Sequence, residues 1–144
     1  MSNVIYRGPV EREPETINLP AVGAYLPGLF VTSDGDELTL AGVGGARVLL
    51  LSNRRFYDQG LADAYAAGET AVAYRLRPDD EFQARLAAGT YAHGDALAVD
   101  ANGRLAAAGL SAVVIAHYNQ AGATLSAGDL ADVVIANSYV TPAA

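Results

Sequence analysis

Beyond about residue 29 the chain alternates apolar and polar positions in short runs, and Gly, Asp, Asn or Pro separates one run from the next. That is the pattern of half-buried strands joined by tight turns. Residues 29–32 and 37–41 read as strands around Ser33-Asp34-Gly35-Asp36, and residues 46–51 as a further strand whose Val48-Leu49-Leu50-Leu51 part is buried. In 71–77, Val72, Tyr74 and Leu76 alternate with Ala73, Arg75 and Arg77, and Pro78-Asp79-Asp80 then makes a turn with Pro set for its first corner. Residues 81–86 fit two periods: Phe82 and Leu86 lie four apart as on a helix, while Phe82, Ala84 and Leu86 alternate with Glu81, Gln83 and Arg85 as on a strand. The flanking turns favour the strand. Residues 96–100, 104–107, 112–118 and 130–137 complete the set, with Ala101-Asn102-Gly103 as a hairpin turn. One segment, 58–67, has helical spacing, with Leu61, Ala62, Tyr65 and Ala66 on one face and Gly68 as a stop. The expectation is an all-β fold, a small barrel or sandwich, with room for one short helix.

Three stretches share a design in which a polar loop closes on Gly-Asp and an apolar strand follows: Gly35-Asp36, Gly94-Asp95 and Gly128-Asp129. Glycine can take the positive φ of a tight turn, and the carboxylate can accept hydrogen bonds from backbone N–H groups freed there.

Residues 7–28 differ from the rest. Pro9, Pro14, Pro20 and Pro27 fall among Arg7, Glu11, Arg12, Glu13 and Glu15, which argues against a helix or a central strand. An extended arm over 1–28, ahead of a β-barrel domain over 29–144, fits this composition. Its apolar residues Ile17, Leu19, Val22, Tyr25 and Leu26 require a surface, either on a neighbouring subunit or on the chain's own barrel.

Composition removes several function classes. The chain has 144 residues, one domain's worth, enough to bury a core without a metal or disulfide. It has no Cys, and its formal charge is -7, which opposes nucleic-acid binding because phosphate contacts need clustered cations. All nine basic residues are Arg. The most apolar run, residues 105–116, is too short for a transmembrane helix, and the start lacks a signal-peptide core, so a soluble product is expected.

Candidate chemistry is sparse. His93 beside Asp95, and His117, can be paired on paper with Ser111, Ser126 or Ser138 as a nucleophile, but a triad is defined by geometry. Neither HxxxH nor HExxH occurs, so no zinc site is expected. Asp34, Asp36, Asp79, Asp80, Asp129 and Asp132 form no twelve-residue calcium loop. Gly42-Val43-Gly44-Gly45-Ala46-Arg47 lacks the Lys and Ser or Thr of a phosphate loop and reads as a bulge or turn. No catalytic residue, metal or cofactor is therefore assigned. A carbohydrate-binding module on a virion or cell surface is the alternative, drawing on Tyr57, Tyr65, Tyr74, Tyr91, Tyr118 and Tyr139, although the chain has no Trp and several of these alternate with core positions.

The order of motifs over residues 70–136 resembles a known family. It runs from Tyr74-Arg75-Leu76-Arg77-Pro78-Asp79-Asp80-Glu81-Phe82 through His93-Gly94-Asp95-Ala96-Leu97 and Asn102-Gly103-Arg104-Leu105. Val113-Val114-Ile115-Ala116 and Gly128-Asp129-Leu130-Ala131-Asp132-Val133-Val134-Ile135 follow. Together with the Pro-rich arm, this is similar to the capsid decoration, or cement, proteins of tailed bacteriophages. The resemblance implies a non-enzymatic virion protein, made in the host cytoplasm, that binds the capsid exterior and stabilises the shell by bridging major capsid protein subunits. It implies as partners the major capsid protein and further copies of itself, as a homotrimer or homodimer, with neither nucleic acid nor membrane involved. The interface candidates are Ile17, Leu19, Val22, Tyr25 and Leu26 in the arm and Arg54, Arg55, Phe56 and Tyr57 in the polar excursion after residue 51.

Overall fold

A computed structural model describes residues 4–43 and 47–143, the side chain of Phe56 excepted. Among the described residues, period-2 alternation is realised as twelve strands. The first five are β1 (Thr16–Pro20), β2 (Phe30–Ser33), β3 (Leu38–Leu40), β4 (Leu49–Leu51) and β5 (Thr70–Arg75). They form an antiparallel sheet in the order β1-β5-β4-β2-β3. The chain continues with β6 (Glu81–Arg85), β7 (Gly89–Tyr91), β8 (Ala96–Val99), β9 (Leu105–Ala107), β10 (Val113–Tyr118), β11 (Ala123–Leu125) and β12 (Leu130–Val140). Here β6-β12-β10-β8-β9 form a second five-stranded sheet, and β7 pairs with β11 beside it.

With the small β7/β11 pair set aside, both sheets have one topology: the first strand lies beside the fifth, then come the fourth, second and third. They also close alike. Ala21, just after β1, bridges in parallel to Leu38 at the start of β3, and Leu86, just after β6, bridges in parallel to Leu105 at the start of β9. The hydrogen bonds around the two closures match. Val22 N–H donates to Leu38 O at 2.9 Å and Ala87 N–H to Leu105 O at 2.8 Å; Ala21 N–H donates to Glu69 O at 2.9 Å and Leu86 N–H to Asp129 O at 3.0 Å. Each sheet thus curls so that its outer strands meet, which leaves little open edge. The chain is a tandem pair of like-folded five-stranded units joined at residues 76–80.

The turns repeat as well. Leu26-Pro27-Gly28-Leu29 and Ala92-His93-Gly94-Asp95 lead into β2 and β8, with Gly28 at φ 91° and Gly94 at φ 90°. A positive φ at the third position is what a type II turn demands, and Pro27 pre-sets the second. Ala66-Ala67-Gly68-Glu69 and Ser126-Ala127-Gly128-Asp129 lead into β5 and β12. In each the acidic side chain accepts from the N–H three residues earlier, at 2.9 Å in both. Asp95 does the same to Ala92 at 2.8 Å. The Gly35-Asp36 stretch differs from expectation: the capping carboxylate is Asp34, which accepts from the N–H groups of both Asp36 and Glu37. Asp100 plays the same part for Asn102 and Arg104 in the matching hairpin of the second unit.

Alternation along the strands divides the core in two. Val31, Leu38, Leu51, Tyr65, Ala71 and Ala73 fill one cluster inside the first unit. Phe30, Leu50 and Tyr74 point to the opposite face and join Phe82, Leu97, Leu105, Tyr118 and Val133 of the second unit in a larger cluster. The Tyr6, Tyr74 and Phe82 rings meet there with centroids 5.4 to 6.1 Å apart.

Two sequence expectations need correction or completion. The helix over 58–67 does not form; a 3-10 turn at Arg55–Tyr57 is followed by irregular turns. Side chains there bond the backbone in competition with a helical ladder. Asn53 Nδ2 donates to Gln59 O at 2.7 Å, Gln59 Nε2 to Asp63 O at 2.9 Å, and Gly60 N–H to Asp63 Oδ2 at 2.9 Å. Tyr65 is drawn instead into the first core, its hydroxyl donating to Ser52 O at 2.5 Å. The N-terminal stretch is extended as expected, and its destination is the chain's own sheets. β1 is the edge strand beside β5, Ile5 and Tyr6 are buried, and Gln83 N–H donates to Ile5 O at 2.7 Å.

Candidate functional site

The N-terminal stretch and the polar excursion, which the sequence treats as separate, meet in one groove of about 470 Å³. Glu13, Thr16 and Asn18 form one wall, Arg54, Arg55 and Tyr57 the other, and Thr70, Val72 and Tyr74 of β5 lie at the base. β1 supplies Thr16 and Asn18 because alternate residues of an edge strand share a face, here the face opposite the first core.

Charge pairing ties the walls together. Glu13 Oε2 accepts from Arg55 Nη2 at 3.2 Å and from the Tyr74 hydroxyl at 3.1 Å. Burial pushes Tyr74 up to about 12, so its hydroxyl stays a donor at neutral pH. Arg54 Nη2 pairs with Glu69 Oε2 at 2.8 Å, and its guanidinium lies 5.7 Å from the Tyr57 ring centre and 5.4 Å from that of Tyr65. These contacts hold the cationic side chains as a fixed wall. Tyr57 is 77% exposed.

The proposed interface residues divide. Arg54, Arg55 and Tyr57 come together at this groove. Ile17, Leu19 and Tyr25 pack, half-buried, against the first core, Val22 is exposed and Leu26 is half-buried. The side chain of Phe56 lies outside the described residues. The sequence reading missed Glu13, Thr16 and Asn18 as wall residues; the i, i+2 spacing of Thr16 and Asn18 about Ile17 marks one strand face, but nothing local shows which neighbour that strand pairs with.

Of the tyrosines considered for sugar stacking, Tyr65, Tyr74, Tyr91 and Tyr118 are buried, whereas Tyr57 and Tyr139 are exposed. His117 is held by Gly94 O, 3.1 Å from Nδ1, and by the Tyr139 hydroxyl, 3.4 Å from Nε2, with the two rings stacked at 5.9 Å. Its hydrogen-bond partners include none of Ser111, Ser126 and Ser138. Among the described residues, no three His, Asp or Glu side chains gather as metal ligands, and no helix is long and apolar enough to cross a membrane.

No family model matches the chain, and no curated protein sequence matches it. Among solved structures it is similar to the N base of the head fiber gp8.5 of bacteriophage phi29, with a TM-score of 0.59 and 16% identity. The match covers 86% of this chain and 95% of that one. At that identity the likeness concerns the fold, and it extends across both five-stranded units.

Proposed function

We propose that the chain is a non-enzymatic structural protein of a phage head that binds the outer surface of the shell, bridges neighbouring major capsid protein subunits and so stabilises them. The observation that carries this reading is the fold likeness to the base of a phage head fiber across nearly the whole chain, in agreement with the family resemblance of residues 70–136. A lattice of identical shell subunits multiplies modest contacts, because a subunit that bridges two neighbours gains from effective concentration. The groove walled by Arg54, Arg55 and Tyr57 is the contact surface favoured here, and self-association as a trimer or dimer increases the valency.

Thr16–Pro20 is a strand of the first sheet, so removing residues 1–22 would damage the fold and is a poor test. Point substitutions on the groove serve better. The full chain should sediment with shells of the same phage's major capsid protein and raise their rupture temperature. Arg55→Ser with Tyr57→Ser should weaken attachment without changing the far-UV spectrum. Failure of the unaltered chain to sediment with intact shells would refute the proposal.

Tyr57 beside Thr16 and Asn18 also supports a second reading, carbohydrate binding, since one exposed ring flanked by hydroxyl and amide groups suits a sugar face. Retention on a glycan array, lost in Tyr57→Ser, would favour it.

A further inference from the structure

A second and larger groove, about 770 Å³, lies at the joint between the two units. Three of the nine arginines, Arg47, Arg75 and Arg77, line it, against one carboxylate, Glu15. In a chain of net charge -7 this is a local reversal of sign. All three arginines are exposed. Arg47 has no ion-pair partner among the described residues, and Arg75 reaches Glu15 only at 3.9 Å, both side chains being more than half exposed. Arg77 is fixed: its Nε donates to Asp80 Oδ2 at 2.9 Å and its Nη2 to Arg12 O. Two of the cations thus project with little intramolecular neutralisation.

The opposite wall is a strand edge. β12 pairs with β6 only from Leu130 to Val134 and then runs on to Val140. Ile135 is taken by residues 79 and 80, Asp79 N–H donating to its O and its own N–H donating to Asp80 O, both at 2.9 Å. From Ala136 onward no strand among the described residues pairs with β12 on that side; its register with β10 shifts here, Ala136, Asn137 and Ser138 together lying opposite Ile115, and these three residues line the same groove. Unpaired strand edges bind extended peptides by adding a strand, the main chain giving affinity and alternate side chains giving selectivity. Half-buried Ile17, Leu49 and Leu76 supply apolar contact along the groove.

We propose that this groove binds an extended acidic segment of a partner protein, which adds a strand along Ala136–Ser138 and sets its carboxylates against Arg47 and Arg75. Arginine suits this role because its planar fork binds a carboxylate at two points. A nucleic acid fits less well, because it has no peptide backbone to pair with the strand edge.

The test uses the full chain and three probes: an acetylated peptide alternating Glu with Val, the same peptide with Lys for Glu, and a single-stranded oligothymidylate. In amide-resolved NMR titration the Glu peptide should shift the amides of residues 136–140 together with Arg47 and Arg75, with saturation below millimolar concentration. Arg47→Ser with Arg75→Ser should weaken it at least ten-fold while leaving the unbound spectrum elsewhere unchanged. N-methylation of alternate peptide amides should also abolish binding, separating strand addition from charge attraction alone. Absence of saturable binding, equal binding of the Lys peptide or the oligothymidylate, or binding unaffected by N-methylation would each overturn the proposal. So would a concentration-dependent self-association that shifts the same amides without peptide, since a second copy would then fill the groove.

Discussion

The Tyr74 hydroxyl donates to Oε2 of Glu13 across 3.1 Å, fastening the N-terminal stretch to the middle of the first sheet. Tyr74→Phe removes the bond while leaving the ring among Tyr6 and Phe82. Glu13 keeps Arg55 and water as partners, so no buried charge is stranded. The expected loss is about 1 kcal/mol, the usual net worth of one hydrogen bond, measured by urea unfolding. Proteolysis between residues 7 and 15 should also become faster.

Equivalent glycines in the two units should respond unequally. Gly28 and Gly94 share a left-handed conformation, but a Cβ on Gly28 would lie 2.9 Å from Leu130 Cδ2 and 3.1 Å from Arg85 Cγ, whereas one on Gly94 meets nothing within 4 Å. Gly94→Ala should cost about 1 kcal/mol from backbone conformation alone. Gly28→Ala adds a steric term and should cost about 2–3 kcal/mol or more. Paired chemical denaturation curves measure the difference.

Arg85 is held by carbonyls from both units and, among the described residues, makes no ion pair: Nε donates to Pro27 O, Nη1 to Gly128 O and Nη2 to Leu61 O, at 2.5 to 2.8 Å. Burial lowers its pKa, as expected where desolvation dominates. Arg85→Met keeps most of the stem but strands three acceptors, and should destabilise the fold by roughly 3 kcal/mol. The readout is the denaturation midpoint, with the unfolding slope unchanged.

Glu69 predicts an acid limb of stability. The Ala66 N–H and then the Arg54 guanidinium hold its carboxyl below the ordinary value of 4.5. A depressed folded pKa stabilises above the unfolded value and loses that contribution as pH falls through the folded one. Melting temperature should therefore decline below about pH 4.5, and the decline should be shallower in Glu69→Gln, which cannot titrate. Asp34, lowered by the N–H groups of Asp36 and Glu37, contributes in the same direction.

Much of the strand content is legible in alternation, including the choice of strand at β6, although Gln83 on the face opposite Phe82 and Ala84 is buried too, its amide donating to Val4 O. The likeness of the two units is less legible. Gly23-Ala24-Tyr25-Leu26-Pro27-Gly28 and Gly89-Thr90-Tyr91-Ala92-His93-Gly94 share G-x-Y-x-x-G, and in both a tyrosine ring packs over the first glycine. The Gly-Asp repeat instead joined three positions that are not equivalent: Gly94-Asp95 corresponds to Gly28-Leu29, and Gly128-Asp129 to Gly68-Glu69. Pro content marks 7–28 as extended without showing which surface takes it, and Pro20 is tolerated because β1 is an edge strand. The groove shared by Glu13 and Arg55 escaped the sequence because residues so far apart meet only through sheet order.

Each half of the chain finds all five of its main strand partners within itself. Apart from residues 5–7, which bond along β6, ordering one half therefore requires no segment from the far end to thread back, and most of the pairing separations that set folding speed stay within about half the chain. A copied segment arriving with its own closure can drift without unpicking its twin. The path from Ser52 to Ala66 is longer than its counterpart from Asn119 to Ser126, so the two units tolerate different lengths at the same place in the fold.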